Sequence, residues 1–416
     1  MDAHNVLGYP QVLNITIPQD TAIHHILAGS FRSLSSSCLP SRRRRANQFK
    51  NRVYATTWAQ PPALSSWQIE HSDPWRVSHI NNVSITATSS YITVPPPYTH
   101  VYSVGGPTGE SHVIDLQTGG FGEKMQELLF IPEDDLSAAD KTRVALRYGS
   151  HGIEFTPSRQ YAFVPVLGTN SIEMYNHDAA NGKLSHIASI GSPRGKDAND
   201  GPRHVKIHPN GRVLYCVTEH SNYVDAYRIS STTLEYISSR PLIPATAQDS
   251  PEASKSKGNF RGDTLMLSPS TPSKPNPDAL VTTTRGSTPD LRGWLSIIPL
   301  NEDGTFATLH QERKQSINYD AEWFQTPTSG GKANAIDILS KNSPGQEDQD
   351  GLWILLTDDD DVTESSGSGA IRVLEWDGWE KGGIKVVVEW PSAARNTSTS
   401  EEQDKIQGAS HAIWLD

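Results

Sequence analysis

The chain predicts an all-β fold, a seven-bladed β-propeller of four-stranded blades, and three observations carry that expectation. After Val53 the sequence runs in short segments rich in Val, Ile, Tyr, Thr and Trp, cut by Gly, Pro, Asn and Asp, with few helical periodicities. A three-strand unit recurs at a fixed spacing. The last six residues, His411 to Asp416, resemble the opening strand of that unit with no strand after it.

The repeat justifies the elements in order. His151-Gly152-Ile153-Glu154-Phe155-Thr156-Pro157, Tyr161–Val164 and Asn170–Tyr175 read as three strands. They recur as Arg203-His204-Val205-Lys206-Ile207-His208-Pro209, Val213–Val217 and Asn222–Tyr227, a period of 52 residues from His151 to Arg203. Pro157 and Pro209 each close a first strand, and Pro209-Asn210-Gly211 is a turn signal. Looser copies run through Asp263–Pro269, Ala279–Thr284 and Gly293–Ile298, then Ala333–Ile336, Leu352–Leu356 and Ala370–Trp376. Four strands with their turns fill about 40 to 50 residues in a propeller blade, which fits the period. Dividing the chain beyond residue 50 by that period gives about seven blades. The orphan C-terminal strand is expected to pair with the N-terminal segment, closing the ring and protecting an edge.

Residues 1–50 read as an irregular segment with an incomplete first blade, and 51–416 as a single propeller domain. The basic run Arg42-Arg43-Arg44-Arg45 is short and isolated, and reads as a solvated loop before it reads as a targeting signal. Gln248–Asn259 and Lys341–Asp350 are polar, Pro- or Gly-containing stretches expected to be surface loops.

Composition narrows the function. Of 416 residues, 35% are hydrophobic and 20% charged, with no apolar run long enough to span a membrane. The formal charge of -11 disfavours nucleic acid or an anionic membrane as partner, so an anionic ligand needs a local cationic pocket. Cys38 and Cys216 are too few for a disulfide framework and suit a reducing compartment. Pro10, Asn14, Pro18 and Asp20 interrupt the opening segment, so no signal peptide is read and a cytoplasmic location is expected.

First strands of propeller blades line the central channel. Arg203 stands at the repeat position of His151, Glu219 follows the second strand of the same copy, and Arg285 follows the second strand of the next. These four are expected to face one cleft. Each has a plainer account: a His at a strand start is commonly a hydrogen-bonded structural residue, and Arg or Glu beside turns are commonly solvated or paired. Their coincidence at two recurring positions favours the cleft. Asp358-Asp359-Asp360-Asp361 lacks the alternating ligands and turn glycine of a calcium loop and reads as a solvated turn. No metal ligand set, nucleophile elbow, phosphate loop or dinucleotide fingerprint is found, which favours chemistry done by side chains without a cofactor.

The same segments resemble the fungal carboxy-cis,cis-muconate cyclases, the 3-carboxymuconate lactonizing enzymes, of the seven-bladed lactonase propellers that also include a 6-phosphogluconolactonase. The resemblance rests on Gly149-Ser150-His151-Gly152, Gly201-Pro202-Arg203-His204, His208-Pro209-Asn210-Gly211, Thr218-Glu219, Thr284-Arg285-Gly286, Thr326-Pro327-Thr328-Ser329-Gly330-Gly331 and His411–Asp416, and extends from about Tyr91 to the end. It implies a site of His151, Arg203, Glu219 and Arg285, and a cofactor-independent lactonization of a small anionic tricarboxylate, 3-carboxy-cis,cis-muconate, in protocatechuate breakdown by the β-ketoadipate route. Arg203 and Arg285 would bind the substrate's carboxylates, and either His151 or Glu219 would deliver the proton. The family has a His where this chain has Lys332, a further candidate substrate-binding cation, and its first blade is shortened here between His24 and Val53. A lactone hydrolase or a non-catalytic propeller scaffold are the alternatives. Surface residues such as Lys341 are expected to be neutral to substitution.

Overall fold

In the computed structural model, residues 23–28, 51–58, 60–70, 76–248, 260–271, 274–308, 321–331, 334–341, 351–359, 369–390 and 411–414 are described. They form six four-stranded antiparallel sheets, each made of strands consecutive in sequence. Sheet one runs from Ile23 to Ser84, sheet two from Tyr91 to Leu129 and sheet three from Glu154 to Gly191. Sheet four runs from Pro202 to Pro241, sheet five from Phe260 to Gln325 and sheet six from Ile336 to Trp390. First strands of neighbouring sheets lie against one another in sheets one and two, and three through six, so they form the inner wall of a propeller.

Apolar residues on both faces of the middle strands explain the stacking. Tyr215, Val217 and Val224 of sheet four meet Leu265, Leu280 and Ile298 of sheet five. Phe163, Ile172 and Met174 of sheet three meet Leu214, Cys216 and Tyr227 on the other face of sheet four. Each fully buried side chain of this size contributes about 2 kcal/mol, so the interfaces between sheets, and not any one sheet, hold the ring. The Pro209-Asn210-Gly211 turn forms as expected: Gly211 adopts φ 71° and donates its N–H to His208 O at 2.8 Å.

The described residues make six blades of the seven that the repeat predicts. Three other expectations change. Sheet one takes its first strand, Ile23–Ala28, from the segment read as irregular, and pairs it with Arg52–Thr57. The C-terminal His411–Trp414 is not found in a described strand: Trp414 N–H donates to Asp337 Oδ2 at 2.9 Å, and Ala412 and Trp414 pack on Trp353, Leu355 and Val373. It therefore lies on the flank of sheet six, and among the described residues it does not pair with the N-terminal segment. Asp358 is also no solvated turn. It ends the strand Leu352–Asp358, buried, accepting from Arg372 Nη1 at 2.9 Å and from the Thr328 hydroxyl. Asp360 and Asp361 lie outside the described residues.

Candidate active site

Two first strands aim side chains into the channel through irregular pairing. In sheet four, Pro202 pairs with Thr218 and His204 with Val217, and the shift between them leaves Arg203 at a bulge. In sheet five the register shifts between Gly262 and Leu265, which sets Asp263 at a bulge. A bulge re-aims a side chain that regular pleating would send into the interface between sheets. Gly262 is required beside it: a Cβ there would lie 2.2 Å from Thr218 O. Its absence lets the strand carrying Arg261 and Asp263 approach the one leading to Glu219, and Gly262 N–H donates to Glu219 O at 3.0 Å.

The side chains brought together form one ion cluster around the buried Arg203, Glu219 and Asp263. Arg203 Nε donates to Glu219 Oε2 at 3.0 Å, and its Nη1 donates to Asp263 O at 3.0 Å and also pairs with Asp263 Oδ1. Arg285 Nη2 stands 3.6 Å from Glu219 Oε1 and its Nε 3.2 Å from Asp263 Oδ2, the latter an ion pair out of line with the N–H. Arg261 Nη1 donates to Glu219 Oε1 at 3.0 Å. Asp263 Oδ2 further accepts the Asn334 N–H at 2.7 Å. Burial raises the Glu219 carboxyl, but Arg285, Arg203, His151 and Arg261 outweigh it and hold the group at about 2.

His151 precedes the short strand Glu154–Phe155, and its neighbour Gly152 approaches Arg203 O and the His204 ring. Its Nε2 bonds Leu146 O, within the 3-10 turn Arg143–Arg147. A carbonyl only accepts, so Nε2 carries the proton and Nδ1 is the acceptor. Burial and then Arg203 push this imidazole down to about 4, against the opposing pull of Glu219, so it is neutral at pH 7 in the free protein.

The structure thus brings His151, Arg203, Glu219 and Arg285 into one electrostatic cluster, as the repeat positions suggested. Lys332 lies outside the described residues. Lys341 is no neutral surface residue: it pairs with Glu375 at 2.7 Å and with Asp377, over the Trp353 ring at 4.9 Å. Asp263 and Arg261 were missed. Asp263 stands six residues before Pro269, as His151 stands before Pro157 and Arg203 before Pro209, so the repeat held the signal.

A second polar cluster lies elsewhere, in a groove of about 580 Å³ lined by Phe130, Glu173, Tyr175, His186 and Ser189. His186 Nε2 is 2.8 Å from Glu173 and 3.2 Å from Ser189 Oγ. Both partners use one ring nitrogen, whereas a serine relay needs the carboxylate on the other. That leaves the channel cluster as the candidate site.

A family model described as "Lactonase, 7-bladed beta-propeller" matches residues 46–269, more than half of the chain. The chain belongs to this lactonase family. Among similar proteins, "Muconate cycloisomerase 1" of Cutaneotrichosporon cutaneum is 29% identical over 371 residues, 88% of this chain and 86% of that one. "Carboxy-cis,cis-muconate cyclase" of Neurospora crassa is 29% identical over 232 residues, 55% of this chain and 53% of that protein. The solved periplasmic gluconolactonase of Pseudomonas aeruginosa matches at a TM-score of 0.56 and 15% identity over 82% of each chain, a likeness of fold. Membership in the lactonase family accords with the propeller of four-stranded sheets.

Proposed function

We propose that the protein is a lactonizing isomerase that closes a muconate-type polycarboxylate, with 3-carboxy-cis,cis-muconate as substrate. The observation that carries this reading is the fixed pair of guanidiniums, buried Arg203 and part-buried Arg285, which act electrostatically on His151. The names and identities of the two fungal relatives support the substrate class.

In the reaction, one substrate carboxylate oxygen forms a bond to an alkene carbon. The displaced π electrons move toward the carbon α to a distal carboxylate, and a proton is added there. The guanidiniums hold the carboxylates and stabilise the enolate-like charge in a site largely shielded from water. Holding oxygen against alkene supplies several kcal/mol of the rate enhancement. Glu219, held at about 2, is ionised at neutral pH and is assigned to fixing the guanidiniums. His151 is assigned the proton. Its imidazole must be protonated in the complex, and a trianion beside it raises its proton affinity.

At neutral pH a trianion becomes a lactone dianion, so each turnover takes up one proton. Hydrolysis of a sugar lactone releases one. A pH-stat run alongside loss of diene absorbance therefore separates the two lactonase-family activities. We expect proton uptake equal to diene lost; acid release from a lactone with no turnover of carboxymuconate would overturn the reading and favour the hydrolase.

The finer fold reading, a seven-bladed ring, is supported by the family and by the apolar flank of sheet six under Ala412 and Trp414. Cytoplasmic location stays part of the proposal; among the described residues no helix is long and apolar enough to cross a membrane.

A further inference from the structure

We infer that Arg261 selects substrates carrying a third carboxylate, an inference that rests on the lactonizing reading above. Arg203 and Arg285 are already matched by Glu219 and Asp263, all within the cluster, and His151 is neutral there. Arg143, on the turn that holds His151, has Asp359 as its opposite charge. Among the described residues, Arg261 is the cation of this cluster that exceeds the carboxylates. The one positive charge by which the cluster exceeds its carboxylates is thereby carried by one side chain, in a protein of formal charge -11.

Exposure and register set its role. The Arg261 side chain is 46% exposed, against 9% for Arg203 and 11% for Arg285, so it stands at the solvent side of the cluster. Its Cα pairs with that of Arg285 across adjacent strands. The two guanidiniums meet at one oxygen, Glu219 Oε1, at 3.0 and 3.6 Å. A guanidinium has five N–H donors in a planar fork, and the bond from Nη1 to Glu219 leaves most of that fork able to receive a ligand carboxylate at the rim. Muconate has two carboxylates and carboxymuconate three, so the deeper pair suffices for the first and the rim arginine distinguishes the second.

The test compares wild type, Arg261→Gln and Arg261→Lys on cis,cis-muconate and 3-carboxy-cis,cis-muconate, with thermal unfolding to confirm folding. Wild type is expected to favour the trianion. Arg261→Gln is expected to lose about tenfold to hundredfold of that preference, the larger part of it in KM, with a shallower dependence on salt. Arg261→Lys keeps the charge without the fork and should recover part of the preference. An unchanged ratio of kcat/KM values in folded Arg261→Gln would overturn the inference, as would an unchanged ratio in Arg261→Lys if the Gln variant does not fold. Should wild type turn over neither diene, the activity reading fails separately. Calorimetric binding of propane-1,2,3-tricarboxylate then still judges Arg261: weaker binding by the variant supports it, and equal binding overturns it.

Discussion

Arg203 and Glu219 pair at 3.0 Å although they lie on different strands of one sheet, the arginine at the bulge of the first and the glutamate just past the end of the second. Glu219 in turn touches Arg261 and Arg285 of the next sheet, so one carboxylate ties two blades at the channel. Arg203→Ala removes a permanent, oriented charge, and loss of activity by at least about a thousandfold is expected. Arg203→Lys, which cannot form the fork, should recover little. Lys183→Ala, an exposed site on sheet three, is the neutral comparison. Near-normal turnover by folded Arg203→Ala in the diene assay would remove Arg203 from the chemistry.

His151 sets the pH dependence. Its pKa is lowered to about 4 by burial and by Arg203, so in the free protein the protonated imidazole is scarce at neutral pH. If that form delivers the proton, kcat/KM falls about tenfold per unit as pH rises above roughly 5, while kcat, which reports the complex, holds to higher pH. A flat kcat/KM between pH 5 and 8 would contradict the assignment. The same shift has a stability consequence of definite sign. The unfolded state binds a proton near 6.5 and the folded state only near 4, so this group's contribution is present at neutral pH and lost as pH falls through that window.

Glu219 acts in a lower window. Its folded pKa of about 2 lies below the ordinary carboxyl value, so the stability it contributes is present above about pH 4.5 and is lost as pH falls toward 2. Glu219→Gln should abolish the part of the acid-unfolding curve that belongs to this window, and flatten Tm against pH there. A Tm profile unchanged between pH 4.5 and 2 would show that the cluster does not hold Glu219 as described.

The first strands were legible because strand spacing and terminal prolines are local properties; His151 and Arg203 could be matched on Pro157 and Pro209 alone. The pairing was not. Asp263 occupies the same repeat position, but its partner Arg203 lies 60 residues away, and a lone Asp at a strand start reads as solvated until the ring brings two arginines to it. The bulges at Arg203 and Asp263 are likewise invisible in the sequence, since they depend on register between strands. The described residues hold six blades; division by a fixed period assumes equal spacing, and this chain spends residues unevenly between strands.

Asp263→Asn tests whether that buried carboxylate is a counter-ion to the arginine pair. Removing it leaves Arg203 and Arg285 poorly compensated, and breaking a buried pair costs about 3 to 5 kcal/mol. Tm should fall, and an added tricarboxylate should restore more of it in the variant than in wild type, because a ligand anion can replace the lost charge. Equal stabilisation of both proteins by the tricarboxylate would argue that Asp263 does not compete with substrate for the arginines.

Gly262 offers a test of geometry without touching a charge. A methyl group at this position would lie 2.2 Å from Thr218 O, so Gly262→Ala must part the strand bearing Arg261 and Asp263 from the one leading to Glu219. Misplacement by about 1 Å costs roughly a hundredfold in rate where catalysis rests on fixed groups. Gly191→Ala is the matched control, since a Cβ there meets nothing within 4 Å. The expected result is an activity loss of about a hundredfold in Gly262→Ala with little change in Gly191→Ala. Diene turnover that is the same in both variants would mean that close approach of these strands does not govern the cluster, and that Arg203, Arg285 and Glu219 keep their positions by other contacts.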